Sequence, residues 1–440
     1  MQPQNRKPAV LFLSLPILAW ALFDFANTIF SANIVTLFFP QYITEIIGTN
    51  TRLEQISSTV IAYANAASAL LLILFSPLFG VLMDRTGKRK KYIIIFTLLT
   101  VGASILMGLF GGMNTGTIFG IPNGLFLTIL LFVFAKFTYS SGNVFYDGML
   151  SSLGSKKEVP LISGFGVALG YLGTLFGIFS VLIIIGDSSI HNAFWLSGIL
   201  FLLFALPLFF INRDPVQKQK PKQTFLKGYK DIYRTFKEAR KHPSIFFFMI
   251  AYFFINDALA TAIAMMQPYA TTVVGFEASA FLVVFMVATL FSIVGALVFG
   301  FVNQKYGSKP TFSVIGLLLA TAIMIAALPL PMWTFWIAAS FFGVAMGSVW
   351  VVSRTIIIEL SPEGKEGQFF GLFAFSAKMS AIAGPFIYGT ITLLLSDFGT
   401  IASRIAITSL LIMVIIGLYF HSRVKIPHNR GVYITEMKVC

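Results

Sequence analysis

Apolar residues in this chain come in long unbroken stretches, not in alternation or in one-sided stripes. A helix needs roughly 20 apolar residues to cross the hydrocarbon core of a bilayer. Stretches of about that length or longer recur throughout, bounded by glycine, proline and clustered charge. They predict twelve membrane helices, over 11–39, 57–83, 91–111, 122–147, 160–186, 192–212, 244–272, 278–303, 310–329, 332–358, 367–395 and 400–421. The first stretch follows Arg6 and Lys7, as a secretory signal would. It is long for a signal and has no convincing small-residue cleavage site, so it reads as an uncleaved span.

One long polar segment interrupts the pattern, RDPVQKQKPKQTFLKGYKDIYRTFKEARKHP at 213–243. Within it Phe225, Leu226, Tyr229, Ile232, Tyr233 and Phe236 recur at helical spacing between basic residues. That pattern predicts an amphipathic helix lying on the membrane face. The chain therefore divides into a six-helix bundle over 1–212, a basic amphipathic linker over 213–243 and a second six-helix bundle over 244–440. The expected fold is an all-α integral membrane protein with twelve spans in two pseudo-symmetric sixes. A weak repeat supports it. Asp24 is followed by FFPQYITEIIG, ending at Gly48, and Asn256-Asp257 by MMQPYATTVVG, ending at Gly275. Tyr42 and Tyr269 each precede the final glycine by six residues.

Composition agrees: 57% of the 440 residues are hydrophobic and 11% charged, against about 25% charged in soluble domains. Charge placement orients the chain. If both termini are cytoplasmic, 26 of the 31 Lys and Arg lie on the cytoplasmic side, with Arg52 and Arg404 outside and Lys136, Arg354 and Lys378 within spans. This is the positive-inside bias. It accounts for the net charge of +14 through contact with anionic lipid, so no nucleic-acid partner is expected. The single cysteine, Cys440, permits no intrachain disulfide, and the four histidines have no metal-ligand spacing. Phosphate-binding and dinucleotide fingerprints are absent from the sequence. Neither an enzyme nor a cofactor or metal is expected.

The sharpest motif is GVLMDRTGKRKKY at 80–92, between spans two and three. Gly80, Leu82, Asp84, Arg85, Gly87, Lys88 and Arg89 match the loop signature of the major facilitator superfamily, which this stretch resembles. A worn copy, GFVNQKYGSK at 300–309, holds the same place in the second half, with Gln304 for the aspartate and Lys305 for the arginine. A narrower resemblance is to the vacuole-effluxer (autophagy-related, UMF-type) branch. It rests on FDFANTIFSANIVTLFFPQY at 23–42, on VFYDGML with ISGFGVALGYLG within 144–173, and on SRTIIIELSPEGKEGQFFGLFAFSAKMSAIAGP at 353–385. Two positions depart from that pattern, which has Asn where Asp147 stands and Gln where Trp350 stands. The departures bear on the substrate and leave the fold intact. The resemblance implies a monomeric rocking-bundle carrier for a small amino-acid-like metabolite driven by protons. It also implies that the loop's Asp84 and Arg85 latch the halves together on the cytoplasmic side, with Asp147 a candidate partner for Arg85.

Charges inside the spans are the candidate chemistry, because ionisable residues are costly in lipid and face the interior. Asp24, Lys136, Asp257 and Lys378 lie near mid-depth, and Asp147, Arg354 and Glu359 lie nearer the cytoplasmic ends. Lys136, Ser140, Asn143 and Asp147 recur at i, i+4, i+7 and i+11, one polar stripe on one helix face. Asp24 shares a face with Asn27, and Asp257, beside Asn256, shares one with Thr261. Two mid-membrane acids match two mid-membrane lysines, so two roles stay open: structural Asp–Lys pairs, or a site for solute and protons. Gly166, Gly170, Gly173 and Gly177 give span five a smooth face for close packing. Gly384-Pro385 predicts a break in span eleven.

The functional expectation is a secondary transporter of a small polar solute, proton-coupled, with its site between the halves. Three alternatives fit the same residues: a proton-driven exporter of apolar or cationic compounds, a facilitator without ion coupling, and a membrane sensor or lipid-handling protein that moves no soluble solute.

Overall fold

The computed structural model describes residues 7–47, 51–113, 116–118, 121–186, 189–214, 243–362 and 365–426. A short helix, Pro8–Phe12, precedes the first span. That span, α1, begins as Leu15–Phe30 and runs on through a π-helical stretch, Ser31–Phe38, into Phe39–Ile47. The first half continues with α2 (Thr51–Thr86), α3 (Arg89–Gly111), α4 (Asn123–Met149), α5 (Val159–Ile185) and α6 (Asn192–Ile211). The second half comprises α7 (Pro243–Tyr269), α8 (Ala278–Tyr306), α9 (Ser308–Ala327), α10 (Thr334–Leu360), α11 (Glu366–Leu394) and α12 (Thr400–Ser422). In hydrocarbon every backbone N–H and C=O must be satisfied within the segment, and a helix achieves this. Among the described residues eleven helices are long and apolar enough to cross a membrane, and α2 makes the twelfth. It bends by 42° between Ser76 and Leu78, where Pro77 removes a backbone donor. The only strands described, Thr117–Ile118 and Ile121–Pro122, form a small hairpin between α3 and α4.

One sequence expectation changes here. The break expected at Gly384-Pro385 does not occur: α11 is one helix with Pro385 inside it. The Gly384 N–H beside the proline donates to the Asp257 carboxylate on α7 at 2.8 Å, so a neighbouring helix braces the weak point. The glycine face of α5 packs within the first half, against α1, and not along the seam between halves. Gly166 meets Trp20, Gly170 meets Thr28 and Asp24, and Gly177 meets Ile29. The amphipathic helix expected in the linker lies outside the described residues, 215–242 among them. Its first residue pair is described: Asp214 accepts the N–H groups of Arg89 and Lys90 at 2.9 and 2.7 Å, capping the start of α3.

The halves repeat each other in detail. Tyr42 donates to the Gly111 carbonyl at the end of α3 (3.0 Å), and Tyr269 to the Ala326 carbonyl at the end of α9 (2.7 Å). Each ties the first helix of its half to the third. A π-helical stretch follows the aspartate in both first helices, at Ser31–Phe38 and at Ala270–Val274. The halves meet along α2 with α11 and α5 with α8, with smaller contacts of α10 on α5 and α11 on α4.

Candidate functional site between the halves

The end of the bundle that carries the α2–α3 and α8–α9 loops is the basic end. Gly87 and Gly307, at matching places in the two copies of the loop motif, have φ of 65° and 86°, a region open to glycine at little cost. Asp84, at the end of α2, accepts the N–H groups of Gly367 and Gln368 at 2.8 and 2.7 Å. A carboxylate on the first turn of α11 satisfies orphan donors and sits at the positive end of the helix dipole. In the worn copy Gln304, at the end of α8, donates to the Lys157 carbonyl just before α5 at 3.1 Å. Both motifs thus bridge to the opposite half, the intact one through a charge and the worn one through a neutral amide. Lys88 is exposed, Arg85 half-buried and Arg89 buried beside them. Glu359 accepts from Ser308 at 2.5 Å, a bond within the second half.

Backbones touch along the same seam. A Cβ on Gly80 would stand 2.5 Å from the Gly367 carbonyl oxygen, and one on Gly164 would stand 2.7 Å from that of Ala296. Ser163 donates to the Val351 carbonyl at 3.2 Å. The hydrogen bonds, ion pairs and ring contacts described between the halves cluster in this basic half of the bundle.

Deeper in, Arg354 of α10 reaches across the seam. Its Nη1 lies 3.2 Å from Asp24 Oδ2 on α1 and its Nε 2.9 Å from Asp147 Oδ1 on α4. Trp20 and Tyr146 stack at 4.6 Å and 10° beneath the guanidinium, which lies 5.9 and 5.7 Å from the two ring centres. That placement favours a cation. The two rings also exchange bonds: Trp20 Nε1 donates to the Tyr146 carbonyl (3.3 Å) and the Tyr146 hydroxyl to that of Trp20 (3.1 Å). The platform locks α1 to α4, so both carboxylates face α10.

Site residues named from the sequence fall into separate groups. Asp147 is held by Arg354, not by Arg85 as expected, because Arg354 projects from α10 onto the polar stripe of α4. Of the two roles left open, the Asp–Lys pairs do not form: Asp24 pairs with Arg354, and Asp257 takes the Gly384 N–H. Asp257 is fully buried; its Oδ2 and Thr261 Oγ1 have no hydrogen-bond partner. Lys136 bonds Asn65 Oδ1 on α2. Asn256 accepts from Tyr252 (3.1 Å) and donates to Ser380 Oγ (2.7 Å) and the Ala377 carbonyl (3.3 Å). Asn27 and Ser140 are buried, and Asn27 Oδ1 and Asn143 Oδ1 are unpartnered. Sequence reasoning missed Trp20, Tyr146 and Asn65, which carry no charge to single them out; Tyr146 does adjoin Asp147 in the quoted VFYDGML stretch. The residues present form no group of three or more His, Cys, Asp or Glu that would hold a metal ion, among those described.

Comparison with known proteins places this architecture. Residues 155–431 match the family described as Vacuole effluxer Atg22 like. An MFS-type transporter of Bacillus subtilis (strain 168), YxiO, is 24% identical over 413 residues, covering 91% of this chain and 92% of its own. Autophagy-related protein 22 of Kluyveromyces lactis is 25% identical over 260 residues, 53% of each chain. Among solved structures, a bacterial homologue of the iron transporter ferroportin in an outward-facing state superposes with a TM-score of 0.70 at 13% identity, covering 93% of this chain and 98% of that one. The fucose:proton symporter of Escherichia coli gives 0.70 at 14% identity, covering 96% and 100%. The fold is that of the major facilitator transporters, and the family match spans well over half the sequence: the chain belongs to the vacuole effluxer Atg22-like family, a transporter and not an enzyme.

Proposed function

We propose that this protein is a proton-coupled secondary transporter that moves a small, amino-acid-like polar metabolite by alternating access. The observation that carries the reading is the Arg354 bridge. It joins a helix of one half to two helices of the other, so the basic end cannot open while both contacts stand. The positive-inside bias assigns that end to the cytoplasm, which makes this conformation outward-facing. One guanidinium faces two carboxylates, so the cluster takes up a proton without becoming a net cation. Protonation of Asp24 or Asp147 removes one arm of the bridge and favours opening of the basic end. Asp257, buried with an unpartnered oxygen, is the second proton carrier. Solute binds above the bridge, between α1, α4, α7 and α11.

Purified protein in liposomes with an imposed pH gradient tests the coupling. Accumulation of labelled amino acids against their gradient is expected from the native chain. Asp147→Asn restores the residue of the branch pattern; it should exchange solute down a gradient while failing to accumulate it. Accumulation that ignores the pH gradient, or survives unchanged in Asp147→Asn, counts against proton coupling through this cluster.

A further inference from the structure

Lys136 and Lys378 are left over when every acid in the spans has been assigned. Asp24 and Asp147 are engaged by Arg354, and Asp257 by the Gly384 N–H. Gly384 lies six residues beyond Lys378, about 9 Å along α11 and on another face of the helix. Among the described residues, no carboxylate lies within ion-pair distance of either lysine, and Lys378 has no hydrogen bond at all.

Both side chains nevertheless point inward. On α4 the outward face carries Leu130 and Phe134, 52% and 42% exposed, and Lys136 stands on the opposite side with Ser140, Asn143 and Asp147. On α11 Met379 and Phe386, 40% and 73% exposed, share one face, and Lys378 sits about a quarter turn from it. Each lysine keeps partial access to solvent, so both open onto interior space. They come from opposite halves, near mid-span on α4 and α11, two helices that meet across the seam.

Neutral groups hold the Lys136 side chain and the helical turn that carries Lys378. Asn65 of α2 accepts from Lys136, and its own Nδ2 is anchored on the Ile61 carbonyl at 2.8 Å. Asn256 of α7 bonds Ala377 and Ser380, the turn of α11 that presents Lys378. Two ammonium groups held near each other at low dielectric are costly unless an anion shares them.

We propose that Lys136 and Lys378 form a seat for the negative group of the solute, so that the transported compound is a small net anion bearing carboxylate or phosphate groups. This deepens the transporter reading and rests on it. Because the lysines belong to opposite halves, an anion between them draws α4 and α11 together. Ligand binding thereby supplies the pull that narrows the outward opening.

The test is ligand-dependent thermal stabilisation of the purified full-length protein, which reports binding to the native state. The probes are succinate, glutamate and inorganic phosphate, against alanine and choline, at matched ionic strength. Net anions should raise the melting temperature and alanine and choline should not; whether succinate or phosphate acts identifies the anionic group. Lys136→Gln and Lys378→Gln should each raise the half-saturating succinate concentration tenfold or more. Lys136→Arg and Lys378→Arg should retain the response, which separates loss of charge from loss of fold. Stabilisation by alanine equal to that by succinate, an anion response unchanged in both Gln variants, or no response to any anion overturns the seat. Uptake assays on the same preparations separate this from the parent reading. Transport of alanine alone leaves a transporter without the anion seat; lysine-dependent succinate binding with no transport of any solute leaves a seat without a transporter.

Discussion

Arg354 crosses the seam to meet two carboxylates of the opposite half. Its charge is shared by two carboxylates and rests on a stacked Trp–Tyr pair, and all of these groups are largely removed from water. Removing one partner of such a cluster strands charge, at a cost of roughly 3–5 kcal/mol. Arg354→Gln should therefore melt well below the native protein in detergent. The triple variant Asp24→Asn/Asp147→Asn/Arg354→Gln should recover most of the loss, since it leaves no charge unpaired. A triple variant that melts as low as the single one would assign the loss to packing. The sequence displayed the members of this cluster and not their pairing. Asp24 and Arg354 are 330 positions apart, and a lysine on a facing helix was as good a partner on paper as an arginine. Guanidinium geometry and the rotation of α10 settle the choice.

At the scale of elements, the loop motif acts through helix ends. On the proposed alternating access, Asp84's bonds to α11 form only in the state with the basic end closed, so they should bias the conformational equilibrium. An N-cap is worth about 0.5–2 kcal/mol, and Asp84→Ala should shift the halves toward the basic-end-open state by up to that amount. The readout is alkylation of a single cysteine placed at the basic end, for example Gln368→Cys in a Cys440→Ser background, with faster labelling expected in the Asp84 variant. Equal labelling rates would mean that the cap does not bear on opening. In the worn copy Gln304→Ala loses a neutral bond on an exposed surface and should shift labelling less. Gly307→Ala places a side chain at φ 86°, ψ 163°, a region essentially restricted to glycine, and should destabilise by about 1–3 kcal/mol, seen as a lower melting temperature. The motif itself was legible, because its positive-φ glycines meet a local turn requirement; which helix Asp84 caps, more than 280 positions away, was decided by packing. The continuity of α11 was not legible: Gly-Pro reads as a break unless the Asp257 carboxylate on another helix is seen to take the buried Gly384 N–H.

For the whole molecule, the relevant variable is how the two six-helix halves sit against each other. Their closest approach runs over glycine, where a Cβ on Gly80 has only 2.5 Å to the Gly367 carbonyl oxygen. Gly80→Leu should wedge the basic end open. Spin labels at the basic ends of α2 and α11 would report a longer mean distance than in the native background, and labels at the opposite ends a shorter one. An unchanged pair of distances would refute a rigid rocking of the halves.

What the sequence determined by itself was the twelve-span, six-plus-six architecture, the basic face and the loop motif. Each of these follows from local rules: the length of apolar run needed to cross hydrocarbon, the cost of moving basic loops across a membrane, and the backbone needs of a tight turn. Tertiary structure alone decided which buried charges are partners, which glycines line the seam, and which two lysines are left without a carboxylate. Those outcomes depend on the rotation and crossing of helices far apart in the chain. A low-dielectric interior makes any opposite charge attractive, and only packing determines which one comes within reach.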